Sequence, residues 1–409
     1  MTRTADRARG TQVLRDANRR NVTDLLRTAG PVSRVEIAER LGLARSAVTA
    51  IVAELLDDGV LREVTEPEAQ APTHRPTRGR PRTLVGLDGS AARIVAAQIG
   101  ARWARVVLAD AAGAILATES VDALRATPAQ VVGRVADLAQ RLAADHDGPP
   151  VTNAGICVPG AVDERTGTVL RSDVLGWTDI PLASELRERL QVPVYVQDVT
   201  QAATVAEARF GAAIGAADAL VVDYGARIGV GLVVDGRLRR GASGLAGSIG
   251  HTPEPGNTTP CRCGRTGCLE AVAGVRAMVP AEVLERHGAG GEGAAFAEVV
   301  ERFRAGEEPE SSVVLRALDR GAQALGRVIA LTDPEVVVVT GMVAAYPELS
   351  GELAERIARA VPAEQQGRVE VRVSTLGLQA WVRGAILVAL QQVRPEVRRA
   401  LAGGGASTR

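Results

Sequence analysis

The 409-residue chain contains no lysine: all 48 residues counted as Lys plus Arg are arginine. Every basic contact with an anion must then come from a planar guanidinium, which forks onto phosphates and guanine edges better than a point charge does. A compositional bias of the genome accounts for the absence equally well. Runs of about 18 or more uncharged apolar residues are missing too, and the Arg-bearing N-terminus lacks the apolar stretch of a signal peptide. These absences exclude a spanning helix, so a cytoplasmic protein with no membrane partner is expected. Cysteine is scarce, with four residues. Three of them crowd between 261 and 268, which favours metal ligation over two disulfides. The fourth, Cys157, sits in the apolar run AGICVPG and is expected to be buried and inert.

What is present fits a packed chain of two or three units, with 46% hydrophobic residues. Formal net charge is zero, but residues 1–82 hold 15 Arg against 11 Asp plus Glu, a surplus of 4 balanced by the remainder.

The segment NRRNVTDLLR (18–27) places Val22, Leu25 and Leu26 on one helical stripe that Gly30-Pro31 stops. Ser33 can cap a second helix in a capping box with Glu36, with Val35, Ile37, Ala38 and Leu41 as its apolar side and Gly42 as its end. A third helix is expected from about Ala44 to Asp58, with Val48, Ile51, Val52, Leu55 and Leu56 inward and Arg45, Ser46 and Thr49 outward. Two short helices meeting through a Gly-containing turn describe a helix-turn-helix. LREV and RTLVGLD then pair as the strands of a wing. The competing reading is a small helical bundle for protein contact, but the outward face of helix three is polar with one fork and has no hydrophobic surface. Ser33, Arg34, Arg45, Ser46 and Thr49 are the expected DNA contacts. Between the wing strands, EPEAQAPTHRPTRGRPR reads as a flexible wing tip or linker. Its Arg78-Gly79-Arg80-Pro81 resembles the minor-groove insert of AT-hook peptides, which adds Arg78 and Arg80. A solvated linker with nonspecific phosphate attraction is the alternative.

Beyond Leu84, strand-like runs (ARIVAAQIG, ARVVLAD, TNAGICVPG, VPVYVQD) alternate with helical stretches such as 128–144. A second series (ADALVVDYG, VGLVVDG, EVVVVTG, RVEVRVS) alternates with helices near 200–210, 280–304 and 312–331. The alternation implies an α/β fold of two lobes. The expected organisation is a winged helix-turn-helix over 1–70 with the wing continuing to about 87, and a linker with Gly-Arg-Pro over 71–83. The first lobe follows over 84–195, joined by a C-terminal helix at about 378–400, and the second lobe with the cysteine motif spans 196–377.

The strongest local signal is His251 followed by Cys261, Cys263 and Cys268. Three thiolates and an imidazole complete a tetrahedral zinc set, and Gly264 and Gly267 let the backbone curl around one point. With no spare ligand position the zinc is expected to be structural. A redox-active thiol cluster, the other reading, would not require the histidine.

With these residues in view, the chain resembles the ROK family of repressors and sugar kinases. The resemblance rests on the winged helix-turn-helix, the Gly-Arg-Pro, VPGAVD at 158–163, LGW at 175–177 and the pattern GH(x9)CxCGxxGCxE at 250–270. It implies a two-lobed actin- and hexokinase-like (ribonuclease H-like) fold, a sugar-sized cleft and zinc on His251, Cys261, Cys263 and Cys268.

Several positions depart from the kinase pattern. The phosphate-binding Asp-x-Gly-x-Thr is replaced by Gln98-Ile99-Gly100-Ala101-Arg102, and Gly-Thr-Gly-x-Gly by Gly225-Ala226-Arg227-Ile228-Gly229. The catalytic Asp becomes Val199, in a register fixed by Ala202, Ala203 and Glu207. Such losses remove a general base and the phosphate cradle together, so no kinase activity is expected. Of the implied sugar contacts, Ser248 replaces a Glu and Asp198 an Asn, while His251 and Glu270 remain. Either the ligand is a changed sugar or sugar derivative, or the cleft no longer binds and the domain only dimerises. The expected function is a transcriptional regulator, a repressor of carbohydrate-related genes. It would read a two-fold symmetric operator as a homodimer or homotetramer and sense a sugar-like effector. A sugar kinase with an added DNA-binding domain and a corepressor scaffold that binds another protein are the competing functions.

Overall fold

The computed structural model describes residues 15, 17–19, 21–64, 83–288, 290–377 and 379–391. Helix α1 (residues 21–29, with 15 and 17–19 also helical) buries Val22 and Leu26 and half-buries Leu25. It ends just before Gly30, as the Gly30-Pro31 stop predicts, and the Thr28 hydroxyl in its last turn bonds back to the Asp24 and Leu25 carbonyls. Strand β1 (Val32–Ser33) leads into α2 (Arg34–Leu41), capped by the Ser33 hydroxyl on the Glu36 amide at 3.2 Å. Only half of the expected capping box forms, because the Glu36 carboxylate turns to Arg40. Val35 is a second correction: it is 44% exposed, since at about 100° per residue it lies opposite the buried Ile37. Gly42, left-handed at φ 62°, turns the chain into α3 (Arg45–Asp57), which buries Val48, Ile51, Val52 and Leu55 and leaves Leu56 half-buried. Strands β2 (Leu61–Val64) and β3 (Leu84–Leu87) pair antiparallel, and β1 joins the far side of β3. The segment between them, with Arg78, Arg80 and the Gly-Arg-Pro, lies outside the described residues.

The sheet of the first lobe opens at Arg93. It uses β4 (Arg93–Ile99), β5 (Trp103–Asp110), β6 (Ile115–Asp122) and, after α4 (Pro128–Asp145), β7 (Val151–Val158). A small three-stranded sheet of β8 (Ala161–Asp163), β9 (Thr168–Ser172) and β10 (Trp177–Ile180) follows, then α5 (Leu182–Leu190) and β11 (Val194–Asp198). The main order is β11-β7-β4-β5-β6, parallel across β11, β7 and β4 and antiparallel beyond. Strand β4 reads as a continuous apolar run because both faces are covered. Val95, Ala97 and Ile99 pack with α4 residues, and Ile94 and Ala96 with residues of the last helix.

Helix α6 (Val199–Phe210) leads to the second lobe, where β12 (Ala219–Tyr224), β13 (Ile228–Val234) and β14 (Arg237–Leu238) are followed by α7 (Glu270–Ala273), α8 (Val275–Met278), α9 (Ala281–His287), α10 (Glu292–Arg304) and α11 (Glu310–Thr332). Strand β15 (Val336–Thr340), α12 (Pro347–Ala360) and β16 (Glu370–Val373) complete it, and α13 (Gln379–Gln391) follows. Its order, β14-β13-β12-β15-β16, repeats the topology of the first lobe. Helix α13 returns to pack on α6, β4 and β7. The single helix expected over 280–304 is two helices, because the glycines at 288, 290 and 291 interrupt it.

Candidate functional site

His251 closes a short 3-10 turn, Ile249–His251, and the three cysteines lie on the loop that leads into α7. Their four ligand atoms lie within 4.8 Å of one another. Cys261 Sγ is 3.8 Å from His251 Nδ1 and Cys263 Sγ is 3.6 Å from Cys268 Sγ, near the edge length of a tetrahedron with metal–sulfur bonds of about 2.3 Å. The loop's backbone imposes this. The Cys261 amide bonds the Arg265 carbonyl at 2.8 Å and the Gly264 amide the Cys261 carbonyl at 3.0 Å. Gly267 sits at φ 81°, where a Cβ would meet the Asn257 carbonyl oxygen at 2.7 Å, so only glycine fits. A Cys3His donor set of this shape suits a tetrahedral metal held for structure. On the other side of the imidazole, His251 Nε2 lies 3.6 Å from Asp173 Oδ2, a carboxylate placed beside the ring nitrogen that faces away from Cys261. Cys157 is fully buried in β7, and burial pushes its thiol pKa well up, as suits an inert core residue.

The cleft carboxylates are already paired. Asp198 caps α6, accepting from the amides of Thr200 (2.9 Å), Gln201 (3.4 Å) and Gly160 (3.1 Å). Across from the second lobe, Arg227 Nη1 reaches Asp198 Oδ2 at 3.0 Å. Glu270, buried at the start of α7, accepts from Arg262 Nε at 3.2 Å, and Arg262 Nη2 also bonds the Ala226 carbonyl. Ser248 is exposed and donates to the Leu245 carbonyl at 3.0 Å. Val199 packs with Ala202, Val382 and Ile386 under α13. Gln98 is buried, and among the described residues its Oε1 has no hydrogen-bond partner. Further polar contacts tie the lobes: Arg171 to the Cys263 carbonyl (2.7 Å), Arg240 to Glu164 (2.8 Å) and Gln201 to the Gly244 carbonyl (2.7 Å).

Sequence reasoning missed Asp223. It lies near the end of β12, buried, accepting from the Thr200 hydroxyl at 3.2 Å. Burial pushes its pKa up to about 6, against the opposing charge of Arg227. A carboxylate closing the apolar run ALVVDY was the available signal. The roles of Arg262 and Asp173 were also missed, since nothing in their local sequence marks a partner in space.

At the other end of the molecule, Arg45, Ser46 and Thr49 stand exposed on the first half of α3. Among the described residues the Arg45 guanidinium has no ion-pair partner, and the Thr49 hydroxyl bonds the Arg45 carbonyl at 2.9 Å. Ala44, the N-cap of α3, provides no side-chain cap, which leaves first-turn amides able to meet a phosphate. Ser33 and Arg34 are engaged within the domain itself, the first as the cap of α2 and the second with Glu63 at 3.0 Å.

The sequence pattern of the ROK family covers residues 94–392, and that of a winged helix-turn-helix DNA-binding domain covers 15–62. The xylose repressor of Caldicellulosiruptor bescii is 24% identical over 375 residues, 88% of this chain and 92% of that protein. The glucokinase of Halalkalibacterium halodurans is 30% identical over 334 residues, 76% of this chain and 96% of that enzyme. A crystal structure of a ROK family transcriptional regulator, a homologue of the Escherichia coli Mlc protein, superimposes with a TM-score of 0.72 at 23% identity, covering 96% of this chain and all of that one. The two-lobed body with its zinc-type loop, the winged N-terminus and a family match across most of the length agree: the chain belongs to the ROK family.

Proposed function

We propose that this protein is a DNA-binding transcriptional regulator that responds to a sugar or sugar derivative, a cytoplasmic repressor of carbohydrate-related genes acting without phosphoryl transfer. The observation that carries this reading is the free polar face of α3, with Arg45 unpaired among the described residues, on the same chain as a sugar-kinase-like body. In that body the loop expected to cradle phosphates places Arg227 on Asp198. The xylose repressor relative supports the same role. The effector would meet Asp198, Ser248, His251 and Glu270, zinc would be held by His251 and the three cysteines, and the operator would be two-fold symmetric, bound by a homodimer or homotetramer. Among the described residues no helix is long and apolar enough to cross a membrane.

The test is a mobility-shift assay on the chain's own upstream region. A sequence-preferring complex that weakens steeply with salt is expected, and Arg45→Ala should weaken it. Absence of any sequence preference at low salt would sink the proposal.

The glucokinase relative favours a second reading, an active sugar kinase with an added domain. Turnover of ATP with any hexose of a panel, abolished by Asp198→Asn, would establish it. On the preferred reading no such turnover occurs, because Val199 is packed under α13 where the resemblance requires the catalytic carboxylate.

A further inference from the structure

A cavity of about 460 Å³ lies between the winged domain and the first lobe, in a part of the molecule shared with neither the cleft nor the metal loop. That volume is in the range of small-molecule sites. Parts distant in sequence meet there: Pro31 beyond α1, Arg62 of the wing, Ile115 at the start of β6, Phe210 ending α6 and Arg383 of α13. The walls are mostly apolar.

The carboxylates beside it are already engaged. Arg27 is buried and committed to Asp24 at 3.0 Å and the Ala112 carbonyl at 3.3 Å. Asp24 is shared with Arg209. Asp110, the other carboxylate near Arg27, is occupied by the Ala112 and Ala114 amides at 2.9 and 2.8 Å. Among the described residues Arg383 has no anionic partner: its Nε is buried without a hydrogen-bond partner, and its guanidinium stacks on the Phe210 ring, 5.7 Å from the centroid. A guanidinium half-removed from water with no anion is unfavourable, and an anion from outside would relieve it. The apolar walls offer too few polar groups to replace the hydration of a sugar's hydroxyls.

We propose that this junction is a second effector site, for an organic acid whose carboxylate pairs with Arg383 and whose aromatic or branched aliphatic body fills the apolar walls. Because the winged domain and the ligand-sensing body both contribute walls, an occupant would favour one orientation of the DNA-binding unit over others.

The test is calorimetric titration of the full chain with phenylacetate and 4-methylpentanoate, with their neutral amides as controls. At least one acid should bind, with its amide weaker by about tenfold or more, the loss of one charge-assisted pair. Arg383→Met and Ala114→Leu should each weaken the acid by a similar factor, while Glu270→Ala in the sugar cleft leaves it unchanged. Circular dichroism checks the fold. Should Arg383→Met fail to fold, Ala114→Leu, on an exposed turn at the cavity's edge, decides alone. No binding of either acid at millimolar concentration, equal binding of acids and amides, or full binding by the folded variants overturns the proposal.

Discussion

Arg227 Nη1 donates to Asp198 Oδ2 at 3.0 Å, joining the turn between β12 and β13 to the first residues of α6. The pair joins elements of the two lobes with the protein's own charges. Its partners are not equally dependent. Asp198 keeps three amide donors without Arg227, whereas Arg227 without Asp198 retains only the nearby charges of Asp223 and Glu270. Asp198→Ala also removes the cap of α6, which alone is worth about 1 kcal/mol. In urea denaturation Asp198→Ala is expected to lose about 3–5 kcal/mol and Arg227→Ala about 1–3 kcal/mol. The reverse order would show that the amide donors do not sustain Asp198 once Arg227 is gone.

Asp223 gives the stability a pH dependence of definite sign. Its carboxyl is raised by burial from 3.8 to about 6, so between these values the native state binds more protons than the unfolded chain. Stability from this group therefore falls as pH rises through about 4 to 6, by up to about 3 kcal/mol for a shift of about two units. Asp223→Asn should remove that slope and be more stable than the parent at pH 7. Urea midpoints measured across pH 4–7 for both proteins check this, and parallel profiles would assign the slope to other groups.

Metal analysis should find about one zinc per chain, and Cys263→Ser should lose it. The Cys263 carbonyl also receives Arg171 from the first lobe, while Glu254 of the same loop pairs with Arg327 of α11 at 2.8 Å. Disordering the loop therefore loosens both lobes. A loss of even about 3 kcal/mol would lower the melting temperature by roughly 6–12 °C for a lobe of this size. A metal-free protein that melts like the parent would refute the structural role.

The helices between residues 21 and 57 were legible because each carries its own stop, Gly30 and Gly42 among them, and an apolar stripe of period 3.6. The clustering of His251 with Cys261, Cys263 and Cys268 was legible because their spacing brings the donor atoms together. Val35 misled, since an apolar residue in a short helix counts toward a stripe only if its angle agrees. Strand β6 escaped notice because it is an edge strand with largely exposed residues, ILATESVD, and has no apolar face to read. Sequence singled out Asp198 and Glu270 but carried no sign that Arg227 and Arg262 pair with them, since those pairs form only when β12, β13 and the metal loop fold against α6 and α7.

Glu270 stands at one end of a bonded series that runs from the metal loop to the first lobe. It accepts from Arg262, Arg262 bonds the Ala226 carbonyl, and the next residue, Arg227, pairs with Asp198. A sugar-like effector that takes the hydrogen bonds of Glu270 must displace or redirect Arg262, and so disturb the turn that carries Arg227. If the lobes then change their spacing, the winged domains of the proposed dimer would change theirs, and operator affinity would shift by the same coupling free energy that DNA exerts on effector binding. Couplings of about 1 to 3 kcal/mol correspond to roughly 5- to 150-fold changes in operator affinity. Glu270→Ala is expected to keep its zinc and its operator binding, because Arg262 retains Glu292 within 4.0 Å and no metal ligand is altered. It should lose the response to effector. A thermal-shift screen of sugars, sugar phosphates and amino sugars on the parent protein supplies that effector, since a binder of the native state raises the melting temperature. Operator titrations with and without it then compare the two proteins. A Glu270→Ala variant as responsive as the parent would show that the sensor lies outside this cleft.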